Sequence, residues 1–182
     1  MQRHTGVLAA LGLILLLAAP ALAGTPPGEG DSLPPLSILA PTLEQDREYL
    51  GLADAETFSP GDLACDLLIL EVVGVYCPFC HKQAPLFNDL HKRLRRAKLD
   101  GRIKIMAVAS GATPEEIEYL REHSQYRFPV LRDQDYSLHS QLGEPKTPFT
   151  LVVDAQGRVL YVKTGVIEDI DAFFTWLKQH LE

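Results

Sequence analysis

The sequence predicts a mixed α/β domain, a central sheet flanked by helices on both faces. Three observations predict it. Apolar, β-branched runs alternate with segments of helical period through the middle of the chain. A hairpin followed by one more helix closes the sequence, so the strands cannot all be parallel. At Cys77 the pattern changes from that of a buried strand to that of an amphipathic helix, and this junction carries the chain's only CxxC spacing.

The elements follow in order. Met1–Ala23 reads as a secretory signal peptide, with Arg3 ahead of an apolar stretch from Val7 to Ala19 and Ala21-Leu22-Ala23 before Gly24. Residues 24–41 repeat Pro and Gly without apolar period and read as a flexible linker, which leaves 42–182 as the folded domain. Tyr49–Ala53 and Thr57–Gly61 are expected to form a short strand pair ahead of the core. Leu67–Tyr76 is apolar enough for a buried strand. From Pro78 a helix follows, with Cys80, Ala84, Phe87, Leu90, Leu94 and Ala97 on one face. Arg102–Ala109 is the next strand. Thr113-Pro-Glu-Glu116 is a capping box that opens a helix to about His123. Phe128–Leu131 reads as a short strand and Tyr136–Leu142 as a short helix. Phe149–Val153 and Val159–Val162 form strands joined at Asp154–Gly157. Ile170, Phe173, Phe174, Leu177 and Leu181 mark the apolar side of the last helix.

Charge narrows the partners. With 17 basic and 24 acidic side chains the chain carries a net charge of −7, which argues against nucleic acid and anionic membrane surfaces. Cleavage after Ala23 implies a periplasmic or otherwise extracytoplasmic protein without stable membrane insertion. In that compartment thiols tend to oxidise.

There are three cysteines. Cys77 stands where the free N–H groups and dipole of a helix start favour a thiolate, and a thiolate attacks disulfides. Cys80 is spaced to resolve the mixed disulfide, so the pair reads as a redox-active disulfide with Cys77 as nucleophile. Cys65 is left over and reads as a small apolar residue. Cys77-Pro-Phe-Cys80-His81 also fits c-type haem attachment, with His81 as iron ligand. Against that reading, the motif follows a core strand, and Met106 lies inside a predicted strand where it makes a poor sixth ligand. No second Cys/His pair has the spacing of a metal site.

From Thr42 to Glu182 the chain resembles the thioredoxin superfamily, in its exported TlpA-like and redoxin branch. Pro85, five residues past Cys80, matches the proline that bends the family's active-site helix. Thr147-Pro148 matches the family's cis-proline, which implies a cis bond and a loop that binds substrate backbone beside the sulfurs. Gly165 matches a glycine near the site, and Tyr76 replaces the tryptophan usual before the first cysteine. Glu71 takes the place of the buried acid, which implies a proton relay for Cys80. Gln83 departs from the acid that exported cytochrome-maturation reductases often carry at that position. The resemblance implies a thioredoxin-like fold, no bound cofactor, protein thiols and disulfides as substrates, and an extracytoplasmic thiol electron donor. Thiol peroxidase chemistry is the alternative within the fold, although redoxins place threonine and proline where this chain has Val73 and Gly74. A redox-inert binding module with a structural disulfide is the third.

Overall fold

The computed structural model describes residues 24–181, so the predicted signal peptide lies outside the described residues. In chain order the elements are β1 (Ile38–Leu39), α1 (Glu44–Leu50), β2 (Thr57–Phe58), β3 (Leu67–Gly74), α2 (Pro78–Arg96), β4 (Ile103–Ser110), α3 (Pro114–His123), β5 (Val130–Asp133), α4 (Ser137–Gln141), β6 (Phe149–Asp154), β7 (Val159–Thr164) and α5 (Ile170–Gln179). The main sheet has the order β5-β4-β3-β6-β7. β3, β4 and β5 run parallel, connected by the crossover helices α2 and α3, while β6 and β7 are antiparallel.

β3 is central, and Leu67–Val73 are all buried. Its pleat divides the core in two. Leu67, Ile69 and Val73 pack toward Phe87, Leu90 and Leu94 of α2 and Phe173 and Leu177 of α5. Leu68, Leu70 and Val72 pack toward Leu50 of α1, Leu138 of α4, and Ile38 and Phe58 of the small β1–β2 pair. Glu71 is in phase with Ile69 and Val73, so the pleat directs its carboxyl under α2. The mixed sheet with helices on both faces is therefore as expected.

Two expectations fail. Tyr49 belongs to the last turn of α1 rather than to a strand, and Gly51 at φ 72 supplies that helix's left-handed cap. The strand that pairs with Thr57–Phe58 is Ile38–Leu39, drawn from the segment read as a linker. The rest of that segment is also docked and is not a slack spacer. Gly30 N–H donates to the Val159 carbonyl, Val159 N–H to Asp31 and Leu33 N–H to Gly157, each at 2.8 Å. These bonds cover the start of edge strand β7, whose free backbone groups need partners. The backbone of Gly24–Pro26 lies against Gly143, where a Cβ would overlap it. Smaller shifts occur at strand ends: β5 starts at Val130, with Pro129 ahead of it giving its carbonyl to Ala107 N–H at 2.9 Å.

Candidate active site

Cys77 is the N-cap of α2, and its sulfur accepts the Cys80 N–H at 3.2 Å. Pro78 follows at a position where a missing N–H costs nothing. The two cysteines are paired as a disulfide with their Cα atoms 5.2 Å apart. Cys77 is half-exposed and Cys80 fully buried, so an incoming nucleophile or substrate meets Cys77 first. The 19-residue helix behind them gives the Cys77 sulfur a full helix start.

The Thr147-Pro148 bond is cis. The Thr147 carbonyl oxygen lies 3.6 Å from the Cys77 sulfur, which puts the cis-proline loop alongside the disulfide. Gly165, at φ 89, donates its N–H to the Pro148 carbonyl at 2.8 Å. That backbone conformation favours glycine over any side chain. Tyr76 is 75% exposed beside the disulfide; its hydroxyl donates to Glu116 Oε1 at 2.9 Å. Glu116 also accepts the Thr113 N–H in the capping box of α3, so one carboxylate starts that helix and steadies Tyr76. The Thr113 N–H and then the Tyr76 hydroxyl lower its pKa.

Beneath the disulfide helix, Glu71 is completely buried. Burial pushes its carboxyl from 4.5 up to about 8, and a hydrogen bond from Gln83 only partly offsets this. Gln83 Nε2 donates to Glu71 Oε1 at 2.7 Å and to Thr150 Oγ1 at 3.4 Å. Glu71 Oε2 has no hydrogen-bond partner among the described residues. Gln83 was visible in the sequence only as a departure; its partners come from β3, β6 and the loop before α5, and no local pattern links them.

The structure thus brings Cys77, Cys80, Thr147, Pro148, Tyr76 and Gly165 to one end of the sheet, with Glu71 below. It does not bring Cys65 there. That thiol is half-buried against the other core, and burial pushes its pKa up. The haem reading fits these residues poorly. His81 Nδ1 bonds the Ser124 hydroxyl, and Met106 is fully buried in the core on the opposite side of the sheet from Cys80.

Known proteins resemble this chain in sequence and in fold. The sequence model of the AhpC/TSA family matches residues 40–162. The thiol-disulfide oxidoreductase ResA of Geobacillus thermodenitrificans is 26% identical over 115 residues, a match that covers 63% of this chain and 61% of that protein. Less than two thirds of that relative's length is therefore spanned. Among solved structures, the thioredoxin domain of a thiol-disulfide oxidoreductase from Bacteroides vulgatus superposes with a TM-score of 0.63 at 11% identity, covering 85% of this chain and 99% of that one. A secreted Mycobacterium tuberculosis disulfide oxidoreductase gives 0.59 at 15% identity, covering 79% and 95%. At such identities these two likenesses establish the thioredoxin-like fold.

Proposed function

The chain belongs to the AhpC/TSA family, and within it we propose an exported thiol–disulfide oxidoreductase that exchanges disulfides with protein substrates. The observation that carries this reading is the half-exposed Cys77 sulfur at the start of α2, disulfide-paired with buried Cys80 and flanked by the cis-proline loop. The relative's name, thiol-disulfide oxidoreductase, supports the same reaction class.

In the reducing direction the Cys77 thiolate attacks one sulfur of a substrate disulfide, and the other substrate sulfur leaves as a thiolate. Cys80 then gives its proton to Glu71 and attacks the Cys77 sulfur. The second substrate sulfur leaves and the Cys77–Cys80 disulfide is restored. A carboxyl pushed up to about 8 by burial is a far better acceptor for a thiol proton than an ordinary carboxylate. The half-exposed Thr147 presents its backbone beside the sulfurs for short strand-like pairing with substrate, and Pro148, held through its carbonyl by Gly165, fixes that presentation. An extracytoplasmic thiol donor re-reduces the pair. Residues 1–23 serve as signal peptide and the catalytic fold begins within the segment 24–41 that docks on it; no cofactor takes part.

The test is trapping. Cys80→Ser should accumulate mixed disulfides with substrate proteins, and Cys77→Ser should accumulate none. Equal trapping by both variants rejects the assignment. Insulin reduction exceeding peroxide turnover separates this reading from a thiol peroxidase.

A further inference from the structure

Gln83 is fully buried on α2, three residues beyond Cys80. The two ends of a side-chain amide are normally hard to tell apart, and their assignment rests on the surrounding bonds. Here the bonds decide. The Ile167 backbone N–H can only donate, and it does so to Gln83 Oε1 at 2.7 Å. The NH2 end is therefore turned toward β3 and β6, where it donates to Glu71 Oε1 and Thr150 Oγ1. Reversing the amide would set N–H against N–H at Ile167. Because Glu71 Oε1 always faces a donor, a proton on the neutral carboxyl belongs on Oε2, the oxygen left without a protein partner.

Ile167 lies two residues past Gly165, whose N–H holds the carbonyl of cis-Pro148. One buried amide thus spans from the acid under the disulfide to the segment that braces the substrate loop. We propose that Gln83 is the positioning residue of this site, fixing the Glu71 proton on Oε2 and coupling its release to the cis-proline loop through Ile167 and Gly165. The proposal rests on the relay reading of Glu71.

The coupling has a simple physical basis. When Cys80 passes its proton to Oε2, the carboxylate loses its charge and draws less on the Gln83 NH2. A less polarised amide is a weaker acceptor for Ile167 N–H, because linked hydrogen bonds strengthen and weaken together. Linkage makes the effect reciprocal: substrate held on the loop shifts the proton affinity of Glu71 by the same factor. Other ionisable groups face this chain of bonds. The buried Tyr126 hydroxyl feels the Glu71 charge, and Cys77 and Cys80 lie above. Around Ile167 stand Glu168 with its partner Lys82, and Asp169, while Lys163 is the β7 neighbour of Thr150.

The experiment follows two nuclei in the full chain against pH, the Glu71 side-chain carboxyl carbon and the Ile167 backbone amide. Ile167 should show a step at the Glu71 midpoint, and Glu71→Gln should abolish that step while the flanking charges remain. Gln83→Met, which keeps volume but neither donates nor accepts in this way, should raise the Glu71 midpoint by roughly one pH unit or more, since a hydrogen bond to the charged form is lost. The same variant should also lose the Ile167 step and raise KM for an insulin-type substrate. An Ile167 amide with no step at the Glu71 midpoint overturns the coupling, as does an unmoved midpoint in Gln83→Met. Should Gln83→Met not fold, the wild-type and Glu71→Gln titrations decide alone. Failure of the relay reading looks different: Glu71→Gln would leave the pH–rate profile of insulin reduction unchanged whatever the amide does.

Discussion

Glu71 shows what one buried charge does to a whole protein. Its folded pKa, about 8, lies above its ordinary 4.5, so the folded state holds a proton that the unfolded chain releases between those values. Stability therefore falls as pH rises from about 4.5 to about 8 and stays lowered beyond. The shift corresponds to an upper figure of about 5 kcal/mol. Glu71→Gln should remove that pH dependence and gain stability most at pH 9 and least at pH 4, as read by urea unfolding across the range. Insulin reduction by the same variant should slow by roughly 10²-fold and lose the inflection near 8. Equal pH dependence in both proteins would show that the carboxyl is hydrated. Glu71 was legible in the sequence because it is one acid in an apolar run. Gln83 was not, since its backbone partner Ile167 lies 84 residues away and glutamine on a helix is ordinary.

Elements with strong local signals were read correctly and those without were not. α2 announces itself by period, by Pro78 at its start and by the basic residues of its last turn. The capping box of α3 is present as read. α1 was misread because Tyr49-Leu-Gly-Leu-Ala alternates enough to imitate a strand, while the real signals were Glu44 and Asp46 in a first turn and Gly51 as a cap. β1 has two residues and therefore no period to detect. Gly165, between β7 and α5, shows how backbone conformation alone serves the site. A Cβ there meets nothing within 4 Å, so Gly165→Ala changes only the cost of φ 89. That strain should destabilise by about 1–2 kcal/mol. It should also loosen the bond to Pro148, raising KM for insulin more than it lowers kcat. A kcat loss with unchanged KM would separate Gly165 from substrate docking.

At the scale of the molecule, alternation of strand and helix plus a terminal hairpin sufficed for the sheet and its two cores. The docking of residues 30–33 onto the start of β7 was hidden, because Pro- and Gly-rich chain has the same composition whether it is loose or pinned by backbone bonds. A chain lacking residues 24–34 should therefore lose stability, by about 2–3 kcal/mol for three backbone bonds and buried Pro27. That corresponds to a fall in Tm of roughly 5–10 °C at this size. An unchanged Tm would mean that the segment is not held in solution.

The contact between Gly24–Pro26 and Gly143 also sets a direction. The chain enters the fold at a fixed point, four residues before Thr147, rather than at the far end of an eighteen-residue leash. Whatever precedes Gly24 therefore leaves the folded domain beside the loop that leads to cis-Pro148, and a partner or tag joined there would stand next to the redox face.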